Sequence, residues 1–306
     1  MKILTEITHP KDAVTKEYVD AHVSDPIYYG DTEPSGYSLW WKILLPIPEA
    51  DTLDGCSWAN IREISDAGVA TNYWNIGDCK EITINGQLSK GLTLNNAQLW
   101  VFIIGFDHDI SIELNGGHTI TFNGFKTSIN DSDTYALCDS GYINEKTSGT
   151  WFNMNNSNTN TGSWNSSGMR STVIPQIISC LPLDLQSVLK TVKKKSIETY
   201  DQTTLEETSD KLFLLAESEI FGGTVQAKTS EGTQYPWFTS KGITTSSYAN
   251  NVRKKYTTSA QTAACFWWER SPYSKYSNLF CNVNTNGAAG GSDPSFSYGV
   301  SPAFCV

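Results

Sequence analysis

Asp107-His108-Asp109 is the one run in this chain whose residue types and spacing could do chemistry. Two carboxylates flanking an imidazole can hold a metal ion or move a proton. In an extended strand, however, side chains alternate between faces, so Asp107 and Asp109 share one side and His108 takes the other. All three converge only if the chain turns after Phe106. The competing reading is a strand-end turn whose polar side chains satisfy backbone groups. The remaining histidines, His9, His22 and His118, stand far off along the chain and offer no ligand spacing. Seven cysteines (Cys56, Cys79, Cys138, Cys180, Cys265, Cys281 and Cys305) are scattered, odd in number and free of any C-x-x-C pair. Zinc sites and disulfide scaffolds want clustered or dense, even sets, so these read as small buried hydrophobes, with a Cys281–Cys305 pairing after release left open. Serine-nucleophile motifs, phosphate-binding glycine loops and H-E-x-x-H do not occur. Gly290-Gly291 reads as a turn. These patterns imply no cofactor and no metal.

The elements that must position such residues read as an α+β mixture. Ser57 caps a helix that stops at Gly68. Glu81 to Ile84 is a strand ended by an Asn85-Gly86 turn. Leu99 to Phe106 is a buried strand running into Asp107, and Thr119 to Phe122 is another, after a Gly116-Gly117 turn. Met154 to Gly168 is a polar, Asn-rich loop. Ser171 to Lys195 is helical material broken at Pro182, with Lys193-Lys194-Lys195 as its solvated end. Lys211 to Ala216 is a buried strand, and Ser246 to Tyr256 a further helix. No internal repeat is evident.

Over 306 residues, 22 basic against 32 acidic side chains give a net charge of −10. An acidic chain lacks the clustered cations that contact with nucleic-acid phosphate or anionic lipid requires. No apolar run reaches the ~18 residues that span a bilayer, so no membrane insertion is expected. The first residues lack the apolar core of a secretion signal, which points to a soluble product made in the cytoplasm. Asp25 to Gly36 is a turn-rich connector, and it divides an N-terminal segment (1–36) from one continuous domain (37–306).

The C-terminal end carries the strongest contrast. Phe266-Trp267-Trp268-Glu269-Arg270-Ser271-Pro272 and Tyr298-Gly299-Val300-Ser301-Pro302-Ala303-Phe304-Cys305-Val306 are core-building segments. Between them, Tyr273 to Ser297 is rich in Tyr, Ser, Asn and Gly, the composition of binding loops, where aromatics give rigid contact area and small polar groups give adaptable hydrogen bonds. At least one of Trp267 and Trp268 is expected in the core, with the other supporting the binding loop. Arg270 is expected to bond buried carbonyls.

Several motifs occur in a familiar order: Asn75-Ile76-Gly77-Asp78-Cys79-Lys80, Ile103-Ile104-Gly105-Phe106-Asp107-His108-Asp109, Gly162-Ser163-Trp164, Asp210-Lys211-Leu212-Phe213-Leu214-Leu215-Ala216-Glu217-Ser218-Glu219-Ile220, and the two terminal segments. From Trp40 to Val306 the chain resembles an uncharacterised domain family of gut bacteria and their phages with a WWxRSP…GVxPAF ending. It departs from that ending at Glu269, usually apolar, and Ser301, usually Arg. The ending also resembles the C-type-lectin-like fold of the variable proteins of diversity-generating retroelements and of the formylglycine-generating enzymes. In the variable proteins, the residues between the tryptophan motif and the last strand form the ligand-binding face. The resemblance therefore implies a ligand-binding set of Tyr273, Ser274, Tyr276, Ser277, Asn278, Asn282, Asn284, Asn286, Ser292, Asp293, Ser295, Phe296 and Ser297. All are residue types that mutation of template adenines can yield; Lys275 is not. Tyr298 is expected to join Tyr273, Tyr276 and Phe296 as an aromatic anchor.

Asp12-Ala13-Val14-Thr15-Lys16-Glu17-Tyr18-Val19-Asp20 resembles a short motif of phage tail fibres that attaches or trimerises. Together the resemblances imply a C-type-lectin-like receptor-binding protein on the virion surface. Its partners would be a bacterial surface protein or glycan, other virion subunits and two further copies of itself in a homotrimer. The alternatives are a structural decoration or assembly protein of the virion, or an enzyme on the same frame using Asp107, His108 and Asp109.

Overall fold

The computed structural model describes residues 46–89, 92–109, 117–138, 152–201, 203–258 and 263–306. The N-terminal segment 1–36 with its tail-fibre-like motif lies outside the described residues, as does Gly116 of the expected Gly116-Gly117 turn. Helix α1 (Trp58–Asp66) begins as expected: the Ser57 hydroxyl accepts from the Asn60 N–H at 3.1 Å. Strands β1 (Cys79–Ser89) and β2 (Leu92–Phe106) form a long antiparallel pair, and β3 (Ile120–Lys126) lies against β2. Next come β4 (Thr134–Ala136), α2 (Ser163–Ser166), α3 (Ile174–Cys180), α4 (Leu183–Val188), β5 (Val192–Ile197), β6 (Leu205–Asp210) and β7 (Leu212–Phe213). The chain ends with α5 (Glu217–Phe221), α6 (Pro236–Ser240), β8 (Lys255–Thr257), β9 (Ala264–Cys265), β10 (Trp267–Pro272), β11 (Phe280–Val283), β12 (Ala289–Ser292) and β13 (Ala303–Cys305).

The main sheet has the order β1-β2-β3-β13-β7, so the last strand closes the core from the middle. Trp58 of α1 packs edge-on against Phe122 of β3 at 5.4 Å, and Phe122 stacks on Phe304 of β13 at 5.3 Å. The contacts tie the first helix, a central strand and the last strand into one apolar layer. Small sheets β10-β11-β12 and β4-β8-β9 and the β5-β6 pair complete a mixed α+β architecture.

Four local expectations are corrected. Asn85-Gly86 is not a turn but a bulge inside β1, where the register slips between Ile84 and Gly86. Gly86 takes a φ of +137°, and a Cβ there would sit 2.4 Å from the Cys180 sulfur, so only glycine fits. The Lys193-Lys194-Lys195 run is strand β5, not a helix end. Its burial alternates, with Lys194 inside and its neighbours outside, because Asp109 and Glu219 neutralise the buried ammonium at 2.6 and 2.8 Å. Residues 246–254 are turns leading into β8 rather than a helix. The buried Arg253 spans them, donating to the carbonyls of Ser246, Tyr248 and Gly287, an arrangement a helix ladder would forbid. Finally, Met154 to Gly168 is no open loop. Met154, Asn160, Ser163 and Trp164 are buried, and the Trp164 indole donates to Asp210 at 3.0 Å.

All seven cysteines are buried and unbridged, Cys281 and Cys305 included. Among the described residues no helix is long and apolar enough to cross a membrane.

Candidate ligand-binding site

Strand β10 puts both tryptophans inside, which meets the expectation that at least one is core. The Trp267 indole donates to the Arg253 carbonyl at 2.9 Å and the Trp268 indole to the Phe152 carbonyl at 3.0 Å. Trp267 and Trp268 pair in register with Val283 and Asn282, and both are buried because β10 is covered on both of its faces. Arg270 bonds buried carbonyls as expected, those of Lys195, Leu214 and Glu231. It also forks onto the Glu219 carboxylate, a partner that sequence spacing could not reveal. Burial pushes Glu219 up, but the Arg270 and Lys194 charges outweigh it and hold the carboxyl below its ordinary value.

On this frame stands the loop from Tyr273 to Leu279. Tyr273 N–H donates to the Leu279 carbonyl at 3.1 Å, and Ser274 N–H to the Gln226 carbonyl at 2.8 Å. Buried Asn160, from the 154–168 segment, holds the loop from below. Its amide donates to the carbonyls of Tyr276 (2.9 Å) and Leu279 (2.8 Å), and its N–H to that of Ser277 (2.8 Å). The rings of Tyr273 and Tyr276 stack at 6.0 Å, and Tyr276 is 57% exposed. Gly290 and Gly291 are not a turn but lie in β12, where side chains rest on them. A Cβ on Gly291 would meet the Tyr273 ring at 2.2 Å, and one on Gly290 would meet the Asn284 amide at 2.4 Å.

The other expected contact residues divide by burial. Ser277 and Asn286 are exposed, while Tyr273, Ser274, Asn278, Asn284, Ser292, Asp293 and Phe296 are half-buried. Asn282, Ser295 and Ser297 are buried, and so is Tyr298, which leaves them out of the surface. Asn282 donates to the Ser292 hydroxyl at 2.6 Å. Tyr298 stacks on Phe266 at 4.9 Å and packs on Trp268 at 4.6 Å, as part of the frame. The outward face therefore consists of the Tyr273–Tyr276 pair with Ser274, Lys275, Ser277 and Asn278 and the half-buried Ser292, Asp293 and Phe296; Asn286 lies apart, in the turn beyond Val283 and Ala289 at the other end of the β11-β12 pair.

Asp107, His108 and Asp109 do not all converge: His108 Nδ1 lies 3.8 Å from Asp109 Oδ2, while Asp107 turns away. Asp107, at a φ of +51°, turns outward to His118 (3.0 Å) and to the Thr119 N–H (2.9 Å). His118, distant in sequence, is thus drawn in by a side chain rather than a metal spacing. His108 stacks on Tyr235 at 3.7 Å and meets the Thr233 carbonyl at 3.1 Å. Asp109 goes to the interior, accepting from Lys194 (2.6 Å), Tyr235 (2.6 Å) and Thr121 (3.0 Å). Burial raises the Asp109 carboxyl, but Lys194 and His108 together outweigh it, and the group is held far below its ordinary value. Asp107 thus serves the His118–Thr119 segment, while His108 and Asp109 both pack on Tyr235.

A second constellation, which sequence reading missed, lies under the β10-β11 pair. Ligand atoms of Glu217, Glu269 and Cys281 all fall within 4.8 Å of one another, and all three residues are buried. Glu217 accepts backbone N–H bonds from Val225, Gln226 and Ala227 at 2.7 to 2.9 Å. Both oxygens of Glu269 are without a hydrogen-bond partner at 0% exposure. Burial, and after it the Glu217 charge, raises the Glu269 carboxyl well above its ordinary range; burial likewise raises Cys281. The members are 52 and 12 positions apart along the chain, so no local motif betrays them.

The family model that matches the chain describes a domain of unknown function, DUF6273, over residues 137–306. That span begins just after β4 and takes in β10 to β13, the Tyr273 loop and the buried acidic cluster. No curated protein and no solved structure matches.

Proposed function

The chain belongs to the DUF6273 domain family, and from that premise we propose that it is a receptor-binding protein of a phage virion surface, a tail fibre or adhesin. Its C-type-lectin-like frame would present the Tyr273–Tyr276 face to a bacterial surface protein or glycan. The observation that carries this reading is a stacked tyrosine pair, Tyr276 exposed and Tyr273 half-buried, seated on a buried frame. Aromatic side chains with two rotatable bonds lose little entropy on binding and dominate recognition energetics. Ser277 and Asn278 beside the pair supply hydrogen-bond donors and acceptors for orientation. Asn160 and the Gly290-Gly291 strand preorganise the loop, which lowers the ordering cost of binding. The N-terminal segment would join three copies, multiplying modest single-site affinity by avidity.

Replacing Tyr276 with alanine tests the reading. Truncating a central aromatic anchor costs about 2 kcal/mol or more, roughly 30-fold in Kd. Adsorption of the purified protein to susceptible cells should fall by that factor, while the melting temperature stays near the parent's because the ring is largely exposed. Undiminished adsorption by Tyr276→Ala and by Tyr273→Ala would place the binding surface elsewhere.

A further inference from the structure

A carboxylate sealed from water with neither oxygen hydrogen-bonded is a rare arrangement, because desolvating such a group without a partner is costly. Glu269 is in that position, and the described cations nearby are committed elsewhere. Arg270 forks onto Glu219, and Arg253 donates to three carbonyls while lying over the Phe221 ring at 4.2 Å. What Glu269 does face is a second carboxylate and a thiol, within 4.8 Å. We propose that Glu217, Glu269 and Cys281 bind a divalent cation of borderline softness, with zinc(II) the best match to two carboxylates and one sulfur.

The donor set decides the ion class. A thiolate ligand disfavours the hard cations calcium and magnesium, which take oxygen shells, and suits zinc. Zinc bonds of ~2.0–2.3 Å require the ligand atoms to draw closer than they stand, by side-chain rotation. Glu269 can rotate without breaking a hydrogen bond, since it makes none. Glu217 is already oriented by three backbone donors, and its Oε1 accepts only from Gln226, which leaves a lone pair for a metal. Binding would replace the thiol proton of Cys281 and the carboxyl proton of Glu269, both released to solvent; no electron moves. The ion would clamp the start of α5 to β10 and β11, directly below the loop that carries Tyr273. The proposal stands independently of the adhesin reading.

The test uses the full-length reduced chain, stripped with chelator and then titrated with zinc or cobalt(II). Equimolar zinc should remain through gel filtration and raise the melting temperature, and cobalt should give the near-ultraviolet charge-transfer band of a metal–thiolate bond. Cys281→Ser should lose the band, whereas Cys180→Ser keeps it. Glu269→Gln should lose retention of zinc and the melting-temperature shift. Glu269→Leu guards against a folding artefact: without metal it should melt above the parent, and zinc should not raise it further. Absence of the cobalt band in the parent, or undiminished zinc binding by both Glu269 variants, would overturn the assignment.

Discussion

Replacing Lys255 with methionine should stabilise the protein at neutral pH, by an amount that shrinks as pH rises. Lys255 is 3% exposed on β8, donates to the Thr134 hydroxyl at 3.2 Å and lies 5.1 Å over the Trp267 ring. No carboxylate is among its recorded partners, and burial drops its pKa from 10.5 to about 7. A lysine with a depressed folded-state pKa contributes its full share of stability only above the unfolded value. As pH falls below 10.5 the unfolded chain takes up a proton that the folded chain refuses until about pH 7. The whole difference, 10.5 − 7 = 3.5 pH units at about 1.4 kcal/mol each, is about 5 kcal/mol of destabilisation at and below pH 7. Methionine has similar reach and no charge. Its advantage over the parent should therefore be about 5 kcal/mol at pH 6 and about 2 kcal/mol less at pH 8.5. Urea unfolding under reducing conditions at a series of pH values gives both curves, and ionisation of the buried cysteines other than Cys265, which faces Lys255, cancels in the difference. A constant difference across that window, or a methionine variant less stable at pH 6, would refute the claim that Lys255 is buried without a compensating charge.

Lys194→Met should act in the opposite direction. It leaves Asp109 and Glu219 buried without the ammonium that bridges them at 2.6 and 2.8 Å. Tyr235, Thr121 and Arg270 still serve those carboxylates, so the loss should lie near the lower end of ~3–5 kcal/mol by chemical denaturation. Gly291→Ala should lift Tyr273 off β12, since the added methyl would stand 2.2 Å from its ring. Adsorption should then fall at least as far as in Tyr273→Ala while the cooperative melt persists. Parental adsorption by the alanine variant would show that the seating of Tyr273 does not matter.

Much of the α+β organisation was legible because its signals are local. Ser57 caps a helix through a hydroxyl three residues from its donor, and Leu99 to Phe106 is apolar throughout because β2 is covered on both faces there. Arg270 was legible as a buried hydrogen-bond donor, since a cation between tryptophans and a proline has few other roles. What failed depended on distant partners. Lys193 to Lys195 looks uniformly cationic, and only Asp109 and Glu219, 85 and 25 positions away from Lys194, make one of its three lysines an interior residue. Asn85-Gly86 has the composition of a turn, but Cys180 and Asn96 convert it to a bulge.

For the candidate site, the amino-acid sequence alone determined the kind of surface: a Tyr-, Ser- and Asn-rich span bracketed by tryptophans and a terminal apolar strand. Composition suffices for that, because residue type sets what a side chain can offer a ligand. Which members face outward was decided by the tertiary structure. Asn282, Ser295 and Ser297 are as polar as Ser277 and Asn286, yet they are buried because strands and loops from elsewhere cover them. The same holds for Glu217, Glu269 and Cys281, each unremarkable along the chain. Burial and proximity are properties of how α5, β10 and β11 pack, and no stretch of sequence contains them.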